Sequence, residues 1–350
     1  MINSLSPFAV RTQEAPPRRP VPTLLPDHYE VTRLAEPAPG HGFNPTAVND
    51  DGKIIGNMVK PRRFEGASWS AAGVCIPPLP RSSEQPIWAE NAWPFSALSS
   101  SGLVAGTVSA DVTTRRAWAS HRGEFGQEFW PNALSFAQGI NASGTVVGKT
   151  LITAEPLLIS RAFRLTSEGR PKFFHAPEGG FTDAVAINDE GTVLLNVTGL
   201  SVNSPRLSAW TWDNDSYVPL ETPMQHASLG VALTSDGSVL GYVEPKKGPR
   251  SVVLWVRGMM TDLNIPIFRK FRPHAINNDL VAVGSALTNT GQRSACRWSF
   301  GRGLEFLETL ASSDSQSVFT DAVAINQHGQ ILVATRDGSH ENAGLLTPSA

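Results

Sequence analysis

Residues 47–56, AVNDDGKIIG, decide the fold because the chain carries seven versions of this stretch. Each version has a small residue, an aliphatic residue, then Asn, Ser or Thr, and three residues later an anchor position that is Gly in six of the seven. The anchor lies at positions 52, 102, 144, 191, 237, 280 and 329, so successive copies are 42 to 50 residues apart. A period of this length is typical of β-propellers and stacked repeats.

Each copy predicts a tight hairpin between two antiparallel strands. Asn and Asp adopt turn conformations and bond nearby backbone amides, while Gly supplies the positive φ that closes a short loop. The apolar run after each anchor is expected of the second strand of a hairpin. The sixth copy has Leu280 at the anchor, so we expect its turn to close differently or its strand register to shift.

A second pair of strands is predicted after each hairpin. Its first strand carries a small residue and an aromatic one, as in Ala67-Ser68-Trp69 and Ala117-Trp118, and a polar turn leads to its second strand, as at residues 304–307. A large aromatic side chain in the same place of each repeat indicates packing between blades. Four short strands per repeat make one propeller blade. The sequence therefore predicts an all-β, seven-bladed β-propeller of four-stranded blades.

The two ends of the chain predict how the ring closes. Residues 343–347 follow the seventh hairpin in the place of the aromatic strand, and residues 29–34 form one strand ahead of the first hairpin. Pairing these two strands completes the last blade and leaves no open gap or unsatisfied edge between the two ends of the chain. We therefore expect one propeller domain over residues 27–350, preceded by a Pro-rich, disordered arm over residues 1–26.

The repeat pattern, Ala-x-Ile-Asn-x-x-Gly-x-Val-x-Gly after a small-aromatic strand, resembles the HAF repeat of bacterial proteins described as extracellular repeat proteins. The resemblance covers residues 29–348, and Arg161-Ala162-Phe163-Arg164 is its nearest version of the His-Ala-Phe triplet. It implies a propeller-like fold and allows an extracellular location. It implies no activity, cofactor or site residue.

Composition narrows the function classes. Acidic and basic residues are interspersed and the net charge is −2, so no nucleic-acid footprint is predicted. The chain has no stretch of about 18 apolar residues, and we expect no membrane span. The N-terminus lacks a basic region followed by an apolar one, which favours a cytoplasmic location over the extracellular one that the resemblance allows. Cys75 and Cys296 fall in separate blades and are expected to be unpaired thiols.

Loop lengths predict where a ligand would bind. Successive strands are antiparallel, so the long connections, such as 77–94, 149–160, 197–207 and 308–319, emerge on one face, here called the long-loop face. Loops on a rigid scaffold usually carry binding groups. Aromatic side chains in or beside these connections are candidates for stacking on a sugar or clamping a peptide, with the filling of gaps between blades as the alternative: Trp88, Trp93, Trp130, Phe181 and Phe271.

Three histidines are the candidates for catalysis. His175, His226 and His274 lie just before the Ala-x-Asn strands of three adjacent blades, where imidazoles near the axis could form a metal site or act as a general base. Their spacing is that of the repeat, and no Asp or Glu recurs beside them, so surface or packing roles are the alternative. The chain contains no G-x-S-x-G, H-E-x-x-H, P-loop or C-x-x-C motif. We predict no bound metal and no cofactor.

The leading interpretation is a non-catalytic binding module, monomeric, which engages a protein, peptide or glycan through its long-loop face or central channel. The alternative is a propeller enzyme, a hydrolase or a lyase, with the histidines at the axial mouth. A fold shared by many functions does not decide between them.

Overall fold

A computed structural model describes residues 25–37, 42–60, 63–76, 95–109, 115–124, 133–154, 157–167, 169–176, 180–199, 207–223, 226–311, 318–337 and 340–349. These residues form seven antiparallel, four-stranded sheets arranged as blades in a ring, which confirms the seven-bladed propeller. Two short 3-10 turns, Ile267–Arg269 and Leu307–Thr309, lie in the connections that precede the sixth and seventh blades. Within the described ranges, no helix is long and apolar enough to cross a membrane.

Each of the first three blades follows the chain order from the axis outward. Blade 1 consists of β2 (Phe43–Val48), β3 (Ile54–Lys60), β4 (Arg63–Trp69) and β5 (Cys75–Ile76). Blade 2 consists of β6 (Phe95–Leu98), β7 (Val104–Ser109), β8 (Arg115–Ala119) and β9 (Gly123–Glu124). Blade 3 consists of β10 (Leu134–Ile140), β11 (Val146–Ala154), β12 (Leu157–Leu165) and β13 (Lys172–Phe173).

The remaining blades repeat this order, except that the last takes one strand from before blade 1. Blade 4 has β14 (Phe181–Ile187), β15 (Val193–Thr198), β16 (Leu207–Asp213) and β17 (Ser216–Pro219). Blade 5 has β18 (Ala227–Leu233), β19 (Val239–Glu244), β20 (Ser251–Val256) and β21 (Met259–Asp262). Blade 6 has β22 (Arg272–Ile276), β23 (Ala282–Leu287), β24 (Arg293–Ser299) and β25 (Gly303–Phe306). Blade 7 has β26 (Val318–Ile325), β27 (Ile331–Asp337), β28 (His340–Pro348) and β1 (Tyr29–Arg33).

The Ala-x-Asn strand is the innermost strand of every blade, because each one contacts the corresponding strands of both neighbouring blades. Each inner strand also has a β-bulge at the same place. In blade 1, Pro45 faces Gly56 and Ala47 faces Ile55, which leaves Thr46 unpaired. A bulge bends its strand and re-aims one side chain. The residues at the equivalent position in blades 2 to 7 are Ser96, Gln138, Val185, Val231, His274 and Val323.

The hairpin turns have the predicted geometry. The six anchor glycines have φ between 73° and 90°, as a left-handed turn position requires. Leu280 has φ 59°, and its N–H donates to the carbonyl oxygen of Asn277 at 3.0 Å, as Gly191 does to Asn188 at 3.1 Å. The expectation of a different turn in blade 6 is therefore wrong. Burial of the Leu280 side chain between blades offsets the strain of its backbone.

An Asn side chain at the end of the inner strand links neighbouring blades. The Oδ1 atom of Asn188 accepts the N–H of Thr192 at 2.8 Å, and its Nδ2 atom donates to the carbonyl oxygens of Thr234 and Ser235 in blade 5, both at 3.1 Å. The repeated Asn thus closes its own turn and fixes the next blade, and we call this ring of bonds the Asn belt. Its other members are Asn49, Asn141, Asn277 and Asn326.

The recurring aromatic residue fills the space between blades, as predicted, although it occupies two alternative positions. In blades 1, 4, 5 and 6 a buried tryptophan on the third strand lies opposite the first residue of the second strand: Trp69, Trp212, Trp255 and Trp298. In blades 2, 3 and 4 an aromatic residue of the third strand lies opposite the third residue of the second strand: Trp118, Phe163 and Trp210. Only Trp210 of this second set is partly exposed. Blade 4 therefore has an aromatic residue at each of the two positions.

Closure of the ring occurs as predicted, because β1 pairs with β28 from Tyr29 opposite Pro348 to Arg33 opposite Gly344. A fully buried arginine from blade 6 holds this strand. Arg297 donates to the Tyr29 hydroxyl and to the carbonyl oxygen of Pro26, both at 2.9 Å, and to the Glu305 carboxylate at 3.0 Å. The last two residues of the predicted arm therefore lie against the propeller, while residues 1–24 are outside the described residues.

Neither cysteine forms a disulfide, as expected from their separate blades. Cys296 is buried and Cys75 is partly exposed. Burial raises the pKa of both thiols.

Candidate ligand pocket on the long-loop face

The connections between the second and third strands and between successive blades emerge together, opposite the Asn-to-Gly hairpins. This arrangement agrees with the predicted long-loop face. One assignment was wrong: 149–160 is not a loop, because β11 extends to Ala154 and β12 starts at Leu157. Most residues of the other three predicted connections, 77–94, 197–207 and 308–319, lie outside the described residues.

Two connections that the structure does describe line a cavity of about 330 Å³ between blades 5 and 6, together with the first residues of β20, β22 and β24. Residues 245–250 join β19 to β20, and residues 263–271 join β21 to β22. The volume is in the range of small-ligand pockets. Tyr242, on β19, forms the base of this cavity, where it is buried in the core between blades 5 and 6.

The pocket is lined by four cationic side chains: Arg250, Lys270, Arg272 and Arg293. Its described lining includes no carboxylate. Clustered positive charge in a concave site focuses the field and attracts anions. The arrangement therefore favours a ligand that carries negative charge.

Two of these guanidinium groups are held in place by the protein. Arg293 donates through Nη1 to the carbonyl oxygen of Ser285 at 3.1 Å, and Arg250 lies over the Tyr242 ring at 4.3 Å from its centroid. Burial, and to a lesser extent the charge of the neighbouring Arg272, lower the pKa of Arg293, and the charge of Asp321 is the largest effect that opposes them. An anionic ligand would relieve the repulsion between these positive charges.

Tyr242 adds a hydrogen-bond donor at the base of the pocket. Burial raises the pKa of its phenol, against the opposing effect of Arg250, Arg272 and Arg293, so the hydroxyl is protonated at neutral pH. No described residue hydrogen-bonds to this hydroxyl. A phenol O–H beside several guanidinium groups suits an oxyanion.

An apolar rim adjoins the cations. Pro266 starts the 3-10 turn Ile267–Arg269, and Lys270 ends it with φ 43° and an N–H bond to the carbonyl oxygen of Ile267. This turn leaves Ile267 and Phe268 exposed by 67% and 64%. Large apolar side chains exposed beside a polar pocket are typical of binding surfaces.

The aromatic residues predicted to bind a ligand have different positions. Phe271 is buried in the core between blades 5 and 6 and also lines the pocket. Phe181 begins β14 and is partly buried. Trp88, Trp93 and Trp130 lie outside the described residues.

The structure does not bring the three candidate histidines together. Exposed His175 donates its backbone N–H to the Tyr217 hydroxyl at 3.0 Å, and partly buried His226 donates its N–H to the Pro223 carbonyl oxygen at 3.1 Å. Among described residues, no three His, Cys, Asp or Glu side chains form a group that could hold a metal ion.

His274 differs from its prediction in two ways. It lies at the bulge inside β22 and not before the strand, and a carboxylate is beside it. Its Nε2 atom is 3.0 Å from Oδ2 of Asp321 on the neighbouring inner strand. Sequence reasoning missed this partner because Asp321 is 47 residues away and has no counterpart beside the other two histidines.

The cations of the pocket were also missed. Basic residues cluster at 246–250 and again at 269–272, and the blade 5 hairpin of β20 and β21 brings the two clusters together. The clustering is a usable signal in the sequence, since both segments are connections on the same predicted face.

No known protein family and no curated protein matches this chain in sequence. Solved structures match over most of its length. An acylaminoacyl peptidase from Pyrococcus horikoshii has a TM-score of 0.52 at 10% identity, and the match covers 87% of this chain and 51% of the peptidase. An oligogalacturonate lyase in complex with manganese has a TM-score of 0.56 at 11% identity, covering 91% of this chain and 93% of the lyase.

The β-propeller domain of the Trilobed protease from Pyrococcus furiosus has a TM-score of 0.53 at 9% identity, covering 89% of this chain and 95% of that one. That domain has an open velcro topology, whereas here β1 completes blade 7. The chain spans about half the length of the acylaminoacyl peptidase. At these identities the similarities show the β-propeller fold alone.

Proposed function

We propose that this protein is a non-catalytic binding module of the HAF-repeat type, which takes up a peptide, a glycan or a segment of a partner protein on its long-loop face. The observation that carries the proposal is the cavity between blades 5 and 6. It combines preoriented guanidinium groups, a phenol donor and an exposed apolar rim, and a rigid ring of blades supports all three. Few, well-placed polar groups in an otherwise apolar cavity are the usual features of a ligand site.

The experiment is a screen of the purified chain on peptide and glycan arrays, with the Arg250→Gln variant beside it. Arg250 is exposed, so the substitution should leave the fold unchanged, which a melting curve checks. We expect ligands that bind the parent chain and are weakened by the variant. The recovered ligand should have its original mass. Absence of any pocket-dependent ligand, or a changed mass, would contradict the proposal.

A propeller hydrolase or lyase is the second candidate, and the pair formed by His274 and Asp321 favours it. A carboxylate 3.0 Å from an imidazole nitrogen orients the ring, as a general base requires. The same array ligands, followed for turnover with the parent chain and His274→Asn, distinguish the two candidates. Turnover that His274→Asn abolishes would establish the enzyme.

A further inference from the structure

The pocket between blades 5 and 6 also indicates which ligand it takes, and this inference rests on the proposed binding function. We propose that it binds a peptide segment in which a carboxylate, from Asp, Glu or a C-terminus, lies beside an apolar side chain. The carboxylate would enter the cationic pocket, and the apolar side chain would cover Ile267, which lines the pocket, and the exposed Phe268 next to it in sequence.

The carboxylate is inferred from the type and placement of the donors. Arg250, Arg272 and Arg293 all lie close enough to the Tyr242 phenol for their charges to lower its pKa, so three guanidinium groups share one small cavity. A guanidinium presents paired N–H donors in one plane, which match the two oxygens of a carboxylate.

Two guanidinium groups of the pocket are preorganised for a carboxylate. Arg293 is tied to blade 6 through Ser285, and Arg250 is stacked on Tyr242, so neither side chain loses its full rotamer freedom on binding. The described lining holds no carboxylate, and the Asp321 charge that acts on Arg293 comes from outside it, where Asp321 pairs with His274.

The apolar rim favours a peptide over a glycan. Sugars bind aromatic rings face to face, but the guanidinium of Arg269 lies over the Phe268 ring at 5.0 Å from its centroid and covers one face. Ile267, exposed by 67%, offers only aliphatic surface. An aliphatic side chain and a ring edge are suited to an apolar side chain of a peptide. The rim and Lys270 are adjacent in sequence, so the apolar and acidic groups of the ligand must also be near neighbours.

Fluorescence anisotropy with three labelled decapeptide pools tests the proposal. The pools are randomised except at their centre, which is Leu-Phe-Asp-Glu, Leu-Phe-Asn-Gln or Ser-Ser-Asp-Glu. We expect the first pool to bind at least tenfold more tightly than either of the others. Arg250→Gln should weaken that binding about tenfold or more, and Phe268→Ser should abolish the preference for the first pool over the third.

Arg257→Gln is the matched control, because Arg257 is an exposed arginine of the same blade in the β20–β21 hairpin on the opposite face. It should bind like the parent chain. Equal binding of the three pools would overturn the peptide inference. Binding of polygalacturonate or of anionic lipid vesicles, but of no peptide pool, with the same dependence on Arg250, would also overturn it while leaving the binding function intact. If none of these probes binds through Arg250, both proposals fail.

Discussion

Replacing Arg297 with Met should loosen closure of the whole ring. The guanidinium is fully buried and makes three hydrogen bonds, to the Tyr29 hydroxyl, the Pro26 carbonyl oxygen and the Glu305 carboxylate. Met keeps an apolar stem of similar length and removes only the charged head. Removing one partner of a buried ion pair costs about 3–5 kcal/mol. Glu305 is 21% exposed and also lies 3.6 Å from Arg302, so we expect the lower end, about 3 kcal/mol.

Urea unfolding followed by circular dichroism measures this change, since the free energy of unfolding is extrapolated from the transition. Arg302→Ala is the control, because Arg302 contacts the same segment from the surface through Asp27. A pair so exposed should change the midpoint little. Hydrogen exchange then locates the effect: the amides of β1 should lose protection first in Arg297→Met.

Equal midpoints for Arg297→Met, Arg302→Ala and the parent chain would refute the reasoning. A lower midpoint with unchanged protection in β1 would show that Arg297 stabilises blade 6 and not the closure. Deletion of residues 1–35 provides an independent comparison, since it removes β1 outright. It should destabilise the ring far more than deletion of residues 1–24.

Three further results are expected. Thr234→Asn should raise the unfolding free energy by about 0.5–1.5 kcal/mol in thermal denaturation, because it supplies an amide that can reach the Asn277 carbonyl oxygen and complete one gap in the Asn belt; a lower midpoint would contradict this. Gly237→Val should lower the free energy of unfolding by about 1–3 kcal/mol, and Gly237→Asn should lower it less. The φ of Gly237 is 81° and nothing lies within 4 Å of an added Cβ, so only backbone strain distinguishes the two variants. Equal losses of stability would refute that cause. A thiol reagent should label Cys75 in the native protein and Cys296 only on unfolding, as mass spectrometry of the labelled peptides can show; early labelling of Cys296 would contradict its burial.

The features that could be predicted from the sequence are the local ones. The spacing of Asn and Gly fixes each hairpin within about ten residues, and seven copies of that spacing fix the blade count. Leu280 shows the limit of local reasoning, because the burial that compensates its backbone comes from the neighbouring blade. The Asn belt could not be predicted either. Asn188 is explained by its turn alone, whereas its bonds to the next blade depend on carbonyl oxygens 46 and 47 residues away.

The candidate site was harder to predict for the same reason. Its face followed from loop lengths, but its chemistry depends on two connections and the strand ends beside them, which meet only in the folded ring. Arg250 and Arg293 belong to different blades, and no pattern in the sequence pairs them. The histidines stood out because they recur with the repeat, yet within the described ranges only His274 has an acidic partner, and that partner comes from the next blade.

The strand exchange at blade 7 has a consequence for how the chain folds. Thr32 faces Leu345, so the last pairing joins segments more than three hundred residues apart, and loop-closure entropy places it late. Until then, the outer edge of β28 is unpaired. In a concentrated solution of refolding chains, β1 of another molecule can occupy that edge and give a domain-swapped dimer or a longer chain of rings. Refolding yield should therefore fall as protein concentration rises, with the losses recovered as oligomers of intact blades.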